Sequence, residues 1–220
     1  MYGDETYWEN RYAGPNAKEQ FDFYHRYSGL KEYLTPYLKK EDLVLNLGCG
    51  TSRLAEEMYD DGFERVISID FSATAIKIMS DKCRHKRDEF KYVKMDAKKI
   101  EFEEGYSFDL VIDKGTLDCI LCGEGSVNNV KTTLKQIYNV LNHRGVFFCV
   151  SHGAPDRRLH YLKNPEFKWE IKTEKFLKII SDEDRKEPIT EDKEPDYVYI
   201  YICTKKPHSS NVKRGDMLEP

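Results

Sequence analysis

The sequence predicts an α/β protein with a mainly parallel β-sheet, helices ahead of the sheet and an antiparallel hairpin at its end. Short apolar segments typical of buried strands alternate with helical segments through the middle of the chain. A glycine-rich turn joins the first strand to the helix after it. Near the end of the chain, two strand-like segments follow each other with no obvious crossover helix. The alternation favours parallel pairing with right-handed crossovers, and the ending favours an edge hairpin.

Length and composition indicate one globular domain. The chain has 220 residues, enough for one substantial hydrophobic core. We expect a single domain over residues 1–205, with N-terminal helices in residues 1–40 and a polar tail over residues 206–220. The formal net charge of −4 argues against a dedicated nucleic-acid-binding protein. Neither a leader peptide nor a membrane span is evident in the sequence, so we expect a cytoplasmic protein.

Cysteine usage fits a reducing compartment. The six cysteines lie mostly inside apolar segments and do not form the closely spaced pairs of small secreted domains. Cys119 and Cys122 form a CxxC motif, but no second ligand pair stands at a suitable distance for a structural zinc site. We therefore expect reduced thiols and no metal.

The first part of the chain predicts helices rich in aromatic residues. Between residues 25 and 38, apolar side chains recur with helical spacing, and Pro36 interrupts the pattern near its end.

The first strand–turn–helix unit follows. Residues 43–47 form a short apolar segment that ends in Gly48-Cys49-Gly50, which predicts a buried strand entering a tight turn. A helix is expected from Thr51, with Gly62 as its C-terminal cap, and the next strand over residues 65–70.

The rest of the chain continues this alternation. Ser72 is placed to cap a helix, and a further helix is expected at residues 127–141. Strands are predicted at residues 90–95, 108–113, 146–150, 167–176 and 197–204. The charged stretch at residues 181–196 is interpreted as a solvated loop.

Two features together predict an adenosine-containing cofactor. Gly48 and Gly50 sit at a strand-to-helix turn, where the absence of a Cβ lets the backbone approach a ligand. Asp70 ends the second strand about twenty residues later, where a carboxylate can accept hydrogen bonds from ribose hydroxyls.

NAD and S-adenosylmethionine both fit those two features, and four observations favour S-adenosylmethionine. Arg53 stands where a dinucleotide fingerprint has its third glycine. Asp96 follows the third strand, where a carboxylate can meet an adenine amino group. The fourth strand ends in Asp113-Lys114. The expected C-terminal antiparallel hairpin is not a feature of an ordinary dinucleotide-binding fold. A dehydrogenase stays as an alternative that requires NAD to bind more tightly than S-adenosylhomocysteine.

These motifs resemble the class I S-adenosylmethionine methyltransferases and, more narrowly, the elongation factor 1-alpha lysine methyltransferases. The resemblance spans roughly residues 5–205 and implies a Rossmann-like, seven-stranded methyltransferase fold. Asn46 and Ser52 depart from the acid and the glycine that many class I enzymes have. The narrower likeness rests on Tyr7-Trp8-Glu9-Asn10-Arg11-Tyr12, Gly48-Cys49-Gly50-Thr51-Ser52 and Lys114-Gly115-Thr116-Leu117-Asp118.

The resemblance implies a set of cofactor-binding residues and a helical cover over the cofactor within residues 1–40. Trp8 and Tyr12 are alternatively one apolar face of a helix, and Asp96 alternatively caps a turn. Phe23 replaces a tryptophan of the related sequences. The implied cofactor-binding residues are Trp8, Tyr12, Phe23, Gly48, Asp70, Phe71, Asp96, Ala97 and Lys114.

The leading functional hypothesis is methyl transfer to a protein lysine, possibly on elongation factor 1-alpha, by direct in-line displacement. A lysine amine must be deprotonated, and a carboxylate near it can orient it. Asp113 and Asp118 are the catalytic candidates, although Asp118 is almost as well explained as a helix-start carboxylate. His152 ends the fifth strand at the sheet edge where ligands bind, so contact with the acceptor is one interpretation, but a structural role is the simpler one. The alternatives are a small-molecule methyltransferase and a catalytically idle scaffold that binds S-adenosylmethionine.

Overall fold

A computed structural model describes residues 2–14, 20–103, 105–177 and 196–207. The expected solvated loop at residues 181–196, apart from Asp196, lies outside the described residues. So does most of the expected polar tail at residues 206–220.

The described strands form one seven-stranded sheet in the order β3-β2-β1-β4-β5-β7-β6. Strands β1 to β5 pair in parallel, whereas β7 pairs antiparallel with both β5 and β6. The mixed α/β sheet with its antiparallel ending is therefore confirmed. The strands are β1 (Val44–Leu47), β2 (Val66–Asp70), β3 (Lys91–Lys94), β4 (Phe108–Lys114), β5 (Leu141–Ser151), β6 (Trp169–Leu177) and β7 (Tyr197–Lys205).

Helices cover both faces of the sheet. Successive strand residues point to opposite faces, so Phe147 belongs to one apolar cluster and Phe148 to the other. The first cluster takes in side chains from α2, α3 and α4, and the second takes in side chains from α5, α6 and α7. The helices are α1 (Glu5–Ala13), α2 (Tyr27–Leu34), α3 (Leu54–Asp60), α4 (Ala73–Cys83), α5 (Thr116–Leu121), α6 (Ser126–Val140) and α7 (Pro155–Leu162).

The helix ends that the sequence marked have the expected geometry. The Ser72 hydroxyl accepts a hydrogen bond from the amide of Ala75 at the start of α4. Gly62 has φ +92°, and its amide donates to the carbonyl of Tyr59 while that of Phe63 donates to Met58. This pair of bonds is the Schellman arrangement that ends a helix with a left-handed residue.

Three elements differ from the prediction. Helix α2 stops at Leu34 and tightens into a 3-10 turn at Thr35–Tyr37, because Pro36 has no amide hydrogen to continue the α-helical pattern. Helices α5 and α7 were not predicted, since each is short and neither has a long apolar stripe. No helix among the described residues has the length and apolarity needed to cross a membrane.

Candidate active site

A cleft opens at the carboxyl ends of β1, β2 and β4, where the glycine turn after β1 leaves little room for side chains. Gly48 and Gly50 have φ of +57° and +49°. A Cβ at Gly48 would collide with the side chain of Thr116, and one at Gly50 with the hydroxyl of Tyr12. Both conformation and space therefore require glycine at these positions.

Asp70 ends β2 at the floor of the cleft. Its Oδ2 accepts the amide of Gly50 at 2.8 Å and its Oδ1 accepts that of Ser72 at 2.9 Å. Burial raises the pKa of the carboxyl to about 6, against these two hydrogen bonds, which lower it. The side chain is 5% exposed and still lines the cleft, so its remaining hydrogen-bonding capacity is directed to the cleft.

The cleft has two adjoining parts with about 590 and 670 Å³ of space between their walls, part of it open to solvent. Trp8, Gly48, Asp70 and Phe71 line both parts. Each residue that the resemblance implied for cofactor binding lines one part or both. Tyr12, Phe23 and Lys114 line the first part, and Asp96 and Ala97 line the second.

The cleft is roofed by what we call the N-terminal cover, which consists of helix α1 and residues 20–26. Trp8 stacks on Tyr12 with ring centroids 5.7 Å apart, and Phe23 meets Trp8 edge-on at 5.9 Å. Glu9 fastens α1 to the start of α4, because its carboxylate accepts the Ser72 hydroxyl at 2.9 Å and the Ala73 amide at 2.8 Å. Trp8 and Tyr12 therefore form one buried face of α1, and both also line the cleft.

Asp22 fastens the second part of the N-terminal cover. Its Oδ1 lies 3.0 Å from Lys114 Nζ and also accepts the hydroxyl of Ser52, and its Oδ2 accepts the amide of Arg53 at 3.2 Å. Lys114 donates a further bond, 3.0 Å long, to the carbonyl of Phe23. Burial lowers the pKa of Lys114, while the charge of Asp22 works in the opposite direction.

Asp96 caps a turn as well as lining the cleft. Its Oδ1 accepts the amide of Lys98 at 2.8 Å, and its carbonyl accepts that of Lys99. The turn-capping alternative therefore holds for one oxygen. Because the side chain also faces the second part of the cleft, the two roles are compatible.

Asp113 does not lie where a catalytic carboxylate must lie. It is fully buried and accepts the amides of Thr116 and Leu117 at the start of α5. Burial and then the nearby charge of Asp118 raise its pKa to about 7. Asp113 caps a helix from the end of β4, and the structure does not support the proposed catalytic role.

Asp118 lies at the centre of a hydrogen-bonded group that we call the Asp118 cluster, made of Tyr24, Asp118, Ser151, His152 and Arg158. Its Oδ1 accepts the Ser151 hydroxyl at 2.5 Å and Arg158 Nη2 at 2.7 Å. Its Oδ2 accepts the Tyr24 hydroxyl at 2.5 Å and the His152 amide at 3.0 Å. Burial alone raises the pKa of Asp118, but the bonds from His152, Ser151 and Tyr24 and the charge of Arg158 hold it well below its usual range.

Sequence reasoning missed Tyr24 and Arg158. Tyr24 belongs to the N-terminal cover, and its ring lies 3.3 Å from the position of a Cβ built on Gly115, which lines the cleft. Its φ of +64° is rare for a bulky residue. No local motif marks either residue, because Tyr24 and Asp118 are 94 positions apart in the chain.

An open depression adjoins the Asp118 cluster on the side of β7. It is lined by residues from α7, β6, β7 and the segments before α7 and β7, and His152 belongs both to it and to the cluster. The His152 side chain is 56% exposed. The lining residues are His152, Ala154, Asp156, Arg157, Lys175, Asp196, Tyr197 and Tyr199.

The sheet order, the glycine turn and the buried carboxylate after β2 define a class I S-adenosylmethionine-dependent methyltransferase. The family described as "Methyltransferase domain" matches residues 45–149. The chain is 30% identical over 179 residues to EEF1A lysine methyltransferase 4 of Bos taurus, covering 78% of this chain and 69% of the relative. The chain therefore belongs to the class I methyltransferases, and S-adenosylmethionine is its cofactor.

The chain is also similar to a second relative in sequence and to a solved structure in fold. It is 36% identical over 152 residues to the eEF1A lysine and N-terminal methyltransferase of Mus musculus, covering 68% of this chain. The match spans only 22% of that relative's length. A solved S-adenosylmethionine-dependent methyltransferase of Methanosarcina mazei superimposes with a TM-score of 0.57 at 16% identity, covering 85% of this chain and 100% of the other. That last likeness concerns the fold alone.

The residues of the cleft fit this cofactor. Side chains at Gly48 and Gly50 would fill the space beside the turn, so glycine keeps the backbone accessible. The Asp70 carboxylate suits ribose hydroxyls, and the aromatic rings of the N-terminal cover suit a sulfonium cation.

Proposed function

We propose that this protein transfers a methyl group from S-adenosylmethionine to a lysine amine of a protein substrate. The observation that carries the proposal is the position of the Asp118 cluster between the cofactor cleft and an open depression. A long, flexible side chain entering from the depression first meets His152, the member of the Asp118 cluster that lines the depression.

We propose that the residues lining the cleft hold the cofactor in the roles that the resemblance implied. Asp70 binds the ribose, and Phe71, Asp96 and Ala97 bind the adenine. Gly48 approaches the cofactor by its backbone, Lys114 contacts it, and Trp8, Tyr12 and Phe23 cover it. The bound cofactor supplies an electrophilic methyl group. The protein aligns the acceptor and excludes water, and this chemistry requires no covalent intermediate.

The charge of Asp118 supports an amine acceptor. An ammonium group has a solution pKa of about 10.4 and arrives positively charged. The Asp118 carboxylate is held ionised by its partners and attracts a cation from the solvent-facing side. Arg158 pairs with Oδ1, while Tyr24 and His152 bind Oδ2, so an acceptor amine approaches the Asp118 charge through Tyr24 and His152.

The openness of the depression supports a macromolecular acceptor. Its aromatic and charged lining can contact polypeptide on either side of a target residue. The similarity to methyltransferases named for eEF1A makes this elongation factor the first acceptor to test. The names of some relatives include N-terminal methylation, so the α-amine is the natural second acceptor.

The direct test uses purified protein, labelled S-adenosylmethionine and purified eEF1A, with mass spectrometry to locate the methyl group. One matched acceptor is eEF1A whose lysine amines have been exhaustively acetylated and therefore cannot take a methyl group, and Asp70→Ala serves as the cofactor-site control. Methylated lysine in native eEF1A, absent with the blocked acceptor and with the variant, supports the proposal.

Other outcomes reject it in distinct ways. Methylation at the protein N-terminus alone moves the acceptor to an α-amine. Turnover of small amines without any protein product favours a small-molecule methyltransferase. S-adenosylhomocysteine binding with no turnover on any acceptor favours a scaffold.

A further inference from the structure

We propose that Tyr24 is a catalytic residue of this methyltransferase, which accepts a hydrogen bond from the acceptor amine and, with His152, carries the amine's proton to solvent. This inference rests on the proposed amine acceptor. None of the cofactor-binding motifs indicates Tyr24. The residue belongs to the N-terminal cover and lies on the acceptor side of the cleft.

The backbone of Tyr24 is the first observation. Its φ of +64° places a bulky aromatic residue in the left-handed region, which glycine or asparagine normally occupies. Such a conformation persists only where the surroundings hold it, and these residues concentrate at functional sites. Here the neighbouring Phe23 carbonyl is fixed by Lys114, and the Tyr24 hydroxyl is fixed at the other end.

The surroundings of the hydroxyl are the second observation. The Tyr24 oxygen lies 2.5 Å from Asp118 Oδ2 and 3.0 Å from His152 Nδ1, while His152 Nδ1 lies 2.9 Å from the same Asp118 oxygen. Burial and then the charge of Asp118 raise the pKa of Tyr24, so the phenol keeps its proton at neutral pH. A protonated phenol has lone-pair capacity left for an N–H donor.

The third observation is how Asp118 is held. Ser151 and Arg158 bind its Oδ1, leaving Oδ2 to Tyr24 and His152. Asp118 and Arg158 therefore act as positioning residues that fix the hydroxyl and the imidazole. Unlike a serine-protease triad, this cluster presents one ring nitrogen, His152 Nδ1, to both the carboxylate and the hydroxyl.

The proton balance is simple. Neutral His152 accepts a proton at Nδ1 when its own ring proton is on Nε2. A lysine ammonium then gives one proton to the Tyr24 oxygen as the Tyr24 hydroxyl turns from Asp118 Oδ2 and gives its own to His152 Nδ1. This leaves a neutral amine, an intact phenol and an imidazolium beside Asp118. The half-exposed imidazolium then releases one proton to water. The amine keeps its lone pair for the attack on carbon, so neither an oxidant nor a metal is required.

Binding of sinefungin, an S-adenosylhomocysteine analogue that carries an amine at the reacting position, tests the contact without any turnover. By calorimetry, the wild-type protein should bind sinefungin at least about tenfold more tightly than S-adenosylhomocysteine. Tyr24→Phe should lose most of this preference while its affinity for S-adenosylhomocysteine stays within about twofold. The matched control is Tyr27→Phe, which removes a tyrosine–aspartate bond of 2.6 Å to Asp61 on α3's C-terminal side.

Equal sinefungin preference in wild type and Tyr24→Phe overturns the inference, whatever the acceptor proves to be. This outcome is distinct from failure of the proposed function, which concerns eEF1A methylation. A folded state is checked by comparing melting temperatures of the two tyrosine variants.

Chemical rescue tests the proton path. On a lysine acceptor, His152→Ala should lower kcat by about 100-fold, with KM for the cofactor nearly unchanged, and added imidazole should restore part of the rate. A merely structural histidine would show no such rescue. His85→Ala, at an exposed position in α4's C-terminal flank, should behave like wild type with and without imidazole. A His152→Ala variant that keeps wild-type kcat removes His152 from the path.

Discussion

The ammonium of Lys114 lies 3.0 Å from the carboxylate of Asp22, and the two side chains are only 6% and 11% exposed. Lys114 ends strand β4 and Asp22 belongs to the N-terminal cover, so this ion pair joins the roof of the cofactor cleft to the sheet beneath it. Breaking a buried pair by removing one partner leaves a charge with poor solvation.

Asp22→Asn should therefore lower both stability and cofactor affinity. We expect a loss of about 3 kcal/mol in the free energy of unfolding, because the Lys114 charge stays buried without its partner. The cover should also exchange amide hydrogens faster at residues 20–26. Denaturant titration, calorimetry with S-adenosylhomocysteine and hydrogen exchange measure the three effects.

The control is Glu101→Gln, which removes a 3.2 Å ion pair with Lys99 whose side chains are 72% and 68% exposed. Exposed pairs contribute little, so this variant should match wild type. Equal stability of the two variants would show that the Asp22 pair does not hold the cover.

Cofactor affinity should fall in acid because Asp70 must be ionised to accept ribose hydroxyls. Burial raises the Asp70 pKa to about 6, so below that pH the carboxyl gains a proton and loses acceptor capacity. The ionised fraction drops tenfold for each pH unit below the pKa, so between pH 7.5 and pH 5 we expect about a tenfold loss of S-adenosylhomocysteine affinity. Calorimetry across this range is the measurement.

Asp70→Asn provides the reference for that titration. Its affinity should be lower than that of wild type at pH 7.5 and nearly independent of pH down to 5. A wild-type profile as flat as that of the variant would contradict a role for Asp70 ionisation.

Gly50→Ala should lower stability by more than backbone strain alone would. At φ +49° any residue with a Cβ is strained, and here the Cβ also meets the Tyr12 hydroxyl. Gly105 has φ +92° with no atom within 4 Å of an added Cβ, so Gly105→Ala reports strain without a clash. We expect Gly105→Ala to lose about 1 kcal/mol and keep cofactor binding. Gly50→Ala should lose more stability and most S-adenosylhomocysteine affinity, as thermal unfolding and calorimetry would show.

The folding stability of Asp113→Asn, compared with that of wild type, should improve as pH rises. The folded pKa of about 7 lies above the ordinary 3.8, so the folded wild type holds a proton that the unfolded chain releases. Wild-type stability thus declines as pH rises between these two values, whereas asparagine stays neutral. Melting temperatures of both proteins, measured in steps across this window, give the difference. A constant difference would place Asp113 in a less buried setting than the one described.

The sequence predicted the sheet and the cofactor side of the site because their signals are local. Apolar strands, a glycine turn and a carboxylate after β2 lie within 30 residues and need only the rules of strand–helix alternation. Ser72 and Gly62 were recognisable as helix ends for the same reason.

The acceptor side was much less predictable because it depends on distant contacts. Tyr24 and Arg158 reach Asp118 across 94 and 40 positions, and neither residue stands in a motif. Asp113 and Asp118 are both acidic residues near the end of β4, and only the fold shows that one caps a helix while the other faces Tyr24. A pattern in sequence does not distinguish these two environments.

The insertion of β7 between β5 and β6 sets the order in which the chain can complete its sheet during synthesis. Strand β6 pairs with β7 in the described sheet, and β7 in turn covers the edge of β5. Until residues 197–205 leave the ribosome, β5 presents an unpaired edge, which invites association between nascent chains. A chain that terminates before or within residues 197–205 should therefore bind chaperones or aggregate. This should happen even though every residue lining the cofactor cleft has already been synthesised.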